Sequence, residues 1–326
     1  MTPRSFRPAS ALALLGAVLC GAAAPALADQ AWPTRPVRIV VAFPPGAPGD
    51  IIARLIQPTL QKALGQPVVV DNKPGAGGNI GMQEVLRATD GHTVLVGPDT
   101  MFTINPHVYR KLAFNPASDF VPVTQMAAFS QELVCHPKAG VRSVQELLAA
   151  ARAKSLDYAS GGPGVPGHMA MELLSAKAKV QMQHIAYKGP APAMQDVLGG
   201  VIPCGFLASP TVGPFVKEGK LVALAVSGAQ RLRSQPNVPT IAESGVPGYE
   251  AGFTEMMAMP RGTPAAAVNR LQTEVARALS GAEVRERLAT LDLEPVANTP
   301  AQAAARLRAE NGRWGEVAGL INLRLD

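Results

Sequence analysis

The sequence predicts an α/β fold with mostly parallel sheets, on three observations. Short β-rich runs alternate with helical stretches along most of the 326 residues. Four glycine-rich turns stand between a strand-like run and the helical stretch that follows it. Hydrophobic residues make up 47% of the chain and charged residues 17%, enough apolar material for a full core and less charge than the roughly 25% of ordinary globular chains. At ~150 residues per domain, the length suggests about two domains.

Taken in order, residues 1–28 read as an export signal. Arg4 and Arg7 precede the apolar run Ala11–Leu19, and Ala26-Leu27-Ala28 is a small-x-small site before Asp29. The run is too short to span a bilayer alone. Cys20 follows Leu19, where a lipidation site wants a small residue, so simple cleavage after Ala28 is expected. Strands are then expected at Val37–Phe43, Pro67–Val70, Thr93–Val96, Val121–Gln125, Leu133–Cys135 and Leu156–Ala159, and further on at Gln183–Tyr187, Pro203–Leu207, Leu221–Val226 and Phe253–Met259.

Helix signals fall between them. Asp50 caps a helix expected over Ile51–Leu64, Arg54 is placed to pair with it at i, i+4, and Pro58 should kink that helix. Ser143-Val-Gln-Glu146 is a capping box. Thr263-Pro264 supplies a cap and a proline at the first helical position, and Val268, Leu271, Val275 and Leu279 follow at helical spacing. Thr299-Pro300 repeats the device before Leu307, Trp314 and Val317. Cys135 and Cys204 fall in expected strands. They read as small buried residues, with a disulfide open if their strands are neighbours.

Composition and motif content exclude several functions. Gly and Pro, 31 and 30 residues, stay below the ~25–30% of low-complexity chains. Three cysteines make neither a disulfide scaffold nor a cysteine-rich zinc module. The net charge of +6 comes from basic residues scattered singly, without the stripe that a nucleic-acid partner needs. Gly162-Pro-Gly164-Val-Pro-Gly167 matches a dinucleotide fingerprint in letters. Yet no acidic residue lies between Glu172 and Asp196 to hold a ribose, and two prolines remove amide donors. There is no phosphate loop, no serine in a nucleophile elbow and no H-E-x-x-H helix.

The informative loops are Phe43–Asp50, Asn72–Gly81, Ser160–His168 and Tyr187–Pro192. Each sets glycines and backbone N–H groups at a helix start, where the dipole favours anions. Together they resemble the extracytoplasmic receptors of tripartite tricarboxylate transporters, the Bug (Bordetella uptake gene) family. The matching pieces include Pro45-Gly-Ala-Pro-Gly-Asp50, Asp71-Asn-Lys-Pro-Gly-Ala-Gly-Gly-Asn-Ile-Gly81, Tyr158-Ala-Ser-Gly-Gly-Pro-Gly164, Tyr187-Lys-Gly-Pro190, Val238-Pro-Thr-Ile-Ala-Glu-Ser-Gly245 and Arg261-Gly-Thr-Pro264. They run through nearly the whole mature chain in family order.

The resemblance implies a two-lobed periplasmic binding protein of type II, a Venus flytrap with its ligand cleft between the lobes. Lobe 1 would hold residues 29–128 and 249–326, and lobe 2 residues 129–248. It implies a monomeric periplasmic receptor with no catalysis, no cofactor and no metal. Its ligand would be a mono-, di- or tricarboxylate, an acidic amino acid or an aromatic acid, and its partner a membrane permease of that transporter class. The sequence departs from the family at Gly46-Ala47, where Gly-Gly is usual, and at Thr254-Glu255-Met256-Met257, where an aromatic pair is common.

The expected ligand contacts are Phe43, Gly46, Ala47, Asp50, Gly77, Asp99 and Thr100 from lobe 1, and Ser160, Gly161, Gly164, His168, Tyr187, Gly189 and Pro190 from lobe 2. Several have structural alternatives. Asp50 touches a ligand only if that ligand carries an amine. Ser160 either caps or binds, His168 is either a donor or a buried histidine, and Tyr187 either faces the cleft or packs. Gly161→Glu should abolish binding. Two other classes stay open: a sensory receptor for a two-component system, and an exported hydrolase.

Overall fold

The computed structural model describes residues 1–2 and 32–325, so the export signal and its cleavage site fall, but for two residues, outside the described residues. The strands are β1 (Val37–Val41), β2 (Val68–Asn72), β3 (Thr93–Pro98), β4 (Phe120–Cys135), β5 (Asp157–Ser160), β6 (Gln183–Ala186), β7 (Cys204–Ala208), β8 (Val222–Val226), β9 (Gly252–Pro260) and β10 (Glu294–Pro295). They lie in the order β2-β1-β3-β9-β4-β7-β5-β6, with β8 and β10 also paired to β4.

The sheet is mixed rather than mostly parallel. β1 with β2 and β3, and β5 with β6 and β7, are parallel βαβ pairings. Every pairing of β4, and that of β3 with β9, is antiparallel. The cause is β4. The runs expected at Val121–Gln125 and Leu133–Cys135 are one strand of 16 residues. From Phe120 to Ser130 it pairs with β9, and from Gln131 to Cys135 with β7. One strand thus joins the β1–β3 side of the sheet, through β9, to the β5–β7 side, and β9 runs beside it in the opposite sense. The chain returns between β8 and β9, where Ser227 joins the crossings. Its hydroxyl accepts from Gln131 N–H (2.9 Å) and donates to Ala251 carbonyl (2.6 Å), and its amide donates to Gln131 carbonyl (2.9 Å).

Helices cover both faces, and their apolar stripes explain why. The helix Pro48–Leu64 buries Ile52, Ala53, Ile56, Leu60 and Leu64 at three- and four-residue spacing and runs on through Pro58. The helix Ala265–Ser280 buries Val268, Leu271, Val275 and Leu279, as their spacing requires. The last long helix, Pro300–Ile321, opens on Thr299 and Gln302 in a capping box. It buries Trp314 against Phe253, rings stacked 5.6 Å apart.

Three local expectations are corrected. The first helix begins at Pro48 with Ala47 as its cap, so Asp50 lies inside the first turn. There its carboxylate reaches back to the Gly46 amide (3.0 Å) and pairs with Arg54 (2.9 Å). Thr263 is one residue early: Pro264 occupies the cap, and the Thr263 hydroxyl donates to Pro260 carbonyl instead. Ser143 accepts from the Glu146 amide, but the Glu146 carboxylate takes the amide of Arg142 rather than that of Ser143, so the box is half formed. Cys135 and Cys204 face each other across β4 and β7, with Cα atoms 4.0 Å apart, and are joined in a disulfide.

Candidate functional site

Where the two lobes meet, strand ends and helix starts enclose a cavity with about 30 Å³ of free space. Phe43, Ala47 and Pro48 come from the turn after β1, Pro98 from the end of β3 and Glu255 from β9. Phe129 and Gln131 lie on β4. Gly161, Val165, Pro166 and Gly167 form the turn after β5, Pro190 the turn after β6, and Phe206, Leu207 and Ala208 the end of β7. The starts of the helices Pro48–Leu64, Pro166–Ala178 and Pro190–Leu198 converge on it. Each opens on a proline, which has no amide to leave unpaired at that position. Their positive ends favour an electronegative group.

The walls are apolar apart from two polar side chains. Gln131 is 3% exposed and Glu255 2%. The Gln131 Nε2 and the Glu255 Oε2 have no hydrogen-bond partner, which is costly for buried groups unless something supplies one. Burial pushes the Glu255 carboxyl up to about 8, and the nearby Asp99 carboxyl adds to this, while the Gly49 amide at the helix start opposes it.

Of the expected contacts, Phe43, Ala47, Gly161 and Pro190 line this cavity. The others lie elsewhere, for identifiable reasons. Gly46 (φ +84°) gives its amide to Asp50, whose carboxylate also takes Arg54 and the Asn72 amide nitrogen. Gly77 (φ +60°) sits where a Cβ would stand 2.7 Å from the Tyr109 hydroxyl and 3.3 Å from Pro163 carbonyl. Gly189 (φ +118°) likewise faces Pro44 of the other lobe, and a Cβ there would stand 2.6 Å from it. A Cβ on Gly164 would touch Leu325 and Asn105. These three glycines therefore pack against residues far away along the chain rather than forming the cavity wall.

Asp99 lies on the far side of β9. Its carboxylate accepts from the Thr254 amide (3.0 Å) and hydroxyl (2.8 Å), and it borders a separate open groove. Burial pushes it up to about 7. Thr100 is buried at the start of a short helix, outside the cavity. Ser160 is fully buried at the end of β5. Its hydroxyl meets His184 Nε2 (2.7 Å) and takes the Gly162 amide. His168 stacks on His184 at 4.0 Å and accepts from Gly164 N–H. Burial holds both imidazoles low, at about 3 and about 4, so both are neutral. The Tyr187 hydroxyl donates to Asp196 (2.5 Å). The Ser160–His184 pair has the spacing of a nucleophile and base, but a fully buried serine cannot reach a substrate.

The lining residues outside the expected ligand contacts differ in how plainly the sequence marks them. Pro98 and Phe206–Ala208 end strands at their carboxyl edge, where α/β sheets bind ligands. Glu255 is a lone acid in the apolar run Phe253–Met259. Phe129 and Gln131 carried none, because nothing local distinguishes the middle of a long strand from two short ones.

Residues 52–323 match the model of the tripartite tricarboxylate transporter family receptor. Among solved structures, the chain is similar to Rpa4515 of R. palustris with adipate (34% identity, TM-score 0.86), covering 90% of this chain and 99% of that one. It is similar to MatC of Rhodopseudomonas palustris with bound malate (32%, TM-score 0.83), covering 88% and 99%. It is also similar to the periplasmic binding protein BugD (30%, TM-score 0.85), covering 90% and 99%.

Proposed function

Because the chain belongs to the tripartite tricarboxylate transporter receptor family, we propose that it captures a small organic carboxylate in the periplasm and hands it, chemically unchanged, to membrane components of such a transporter. The observation that carries this reading is the cavity walled by both lobes, with three helix starts turned toward it. A carboxylate group seated there meets three positive dipole ends, and a longer ligand finds room as the lobes part. The similar proteins solved with adipate and malate agree with a carboxylate ligand. The leader pattern of residues 1–28 and the likeness to BugD support export to the periplasm.

In this reading the lobes divide within β4 near residue 128 and again between β8 and β9, and the receptor acts as a monomer. Closure is driven by contacts that form only when both lobes face the ligand. The test is thermal unfolding of residues 29–326 with mono-, di- and tricarboxylates, amino acids and neutral amides. Saturation a hundredfold above Kd should stabilise the fold by ~2.7 kcal/mol, a shift of several degrees confined to carboxylate-bearing compounds. A folded, ligand-free protein that none of them stabilises would overturn the proposal.

A further inference from the structure

The cavity wall carries its own acid, and that narrows the ligand. Resting on the receptor reading above, we infer that the ligand is a carboxylate that also bears a hydrogen-bond donor, an ammonium or an amide N–H, and that Glu255 selects it over a dicarboxylate.

Glu255 Oε2 is buried in the wall and unpartnered. The amides that a second carboxylate would want from the first lobe are already engaged. Gly46 N–H is held by Asp50, Gly49 N–H faces the Glu255 carboxyl, and Pro48 has no amide. No lysine or arginine is among the lining residues. Behind β9 stands a second buried carboxyl, Asp99, close enough to disfavour ionisation of Glu255. A ligand carboxylate at this end has no counter-ion: it meets an ionised Glu255 as like charge, or it must rely on the single proton that burial keeps on Glu255. A donor there does the reverse. It supplies the partner Oε2 lacks, and an ammonium also takes the place of the proton that burial keeps on Glu255. Gln131 stands beside Gly167 of the helix start that follows β5, and its Nε2, buried and unpartnered, is a donor for the ligand's single carboxylate. The two orphaned atoms, one accepting and one donating, describe an unsymmetrical ligand.

The test is calorimetric titration of the purified protein with ligands matched in length: succinate, γ-aminobutanoate and succinamate, then adipate, ε-aminohexanoate and adipamate. The amino or carbamoyl member of at least one series should bind about tenfold or more tightly than its dicarboxylate. In Glu255→Gln, which keeps the shape and removes the acid, that preference should fall by about tenfold or invert. A dicarboxylate that binds more tightly than both its partners in the unaltered protein overturns the inference and leaves the receptor reading standing; this arm needs no variant. A preference unchanged in Glu255→Gln also overturns it. If no member of either series binds, nor any other carboxylate, the receptor reading itself falls, and the inference with it.

Discussion

At Gly189 a single hydrogen atom lets the two lobes meet. The backbone there adopts φ +118°, and Pro44 of the opposite lobe approaches so closely that a Cβ would stand 2.6 Å from its ring. Gly189→Ala therefore adds backbone strain and a clash at one place, and the clash exists only when the lobes are together. We expect the variant to fold with a loss of about 1–2 kcal/mol and to bind the receptor's ligand at least tenfold more weakly, as measured by thermal unfolding and titration. Unchanged binding would show that closure does not bring these residues together. Glycines of this kind were legible in the sequence as loop glycines but not in their role. The sequence reads Gly77, Gly164 and Gly189 as ligand contacts, because a residue without a side chain looks the same whether a ligand or another loop lies against it. His168 and Ser160 illustrate the opposite limit. Their chemistry suits an anion site, and only the neighbouring His184, 24 residues beyond Ser160, shows them engaged with the protein itself.

At the scale of elements, the helices were the most legible part. The spacing of Val268, Leu271, Val275 and Leu279 and the Thr299 cap each record a local constraint that survives folding. The strands were legible in position but not in continuity or direction, since β4 reads as two runs interrupted by polar residues and only its partners show it to be one. The same strand holds the joint between lobes. Ser227 ties Gln131 of β4 to Ala251 at the approach to β9 through one buried hydroxyl. Ser227→Ala leaves the Gln131 amide and the Ala251 carbonyl each short of a partner, which should cost about 1–3 kcal/mol of stability. Amide hydrogen exchange should speed up at Gln131 before it does so in the helix Ala265–Ser280. Exchange that rises uniformly over the chain would contradict a local joint.

For the molecule as a whole, buried acids and histidines set the response to pH. Burial raises Asp99 to about 7, and Glu132 and Glu255 to about 8 each. The folded state therefore keeps protons that the unfolded chain releases near pH 4, and stability falls as pH rises from about 5 to 8. His168 and His184 act in the other sense, since both are held neutral in the fold. The unfolded chain gains their protons below about 6.5, so their contribution is lost as pH falls toward 4. Three acids outweigh two histidines over most of this interval. Ligand-free protein should melt several degrees higher at pH 5.5 than at pH 8, and Glu255→Gln should flatten that slope. A melting temperature that climbs steadily from pH 5.5 to 8 would mean that these carboxyls are ionised in the fold.

The contact of Pro44 with Gly189 has a consequence in time. Next to Pro190, which lines the cavity, it sets a proline ring against a glycine backbone, a piece of rim that offers no hinge of its own. A captured molecule cannot slip past such a rim by waiting for a side chain to swing aside. It leaves when the lobes part, so its residence is the waiting time of a protein motion. Two compounds that differ in how firmly they are held would then escape by the same gate, differing only in how often it opens while they are inside.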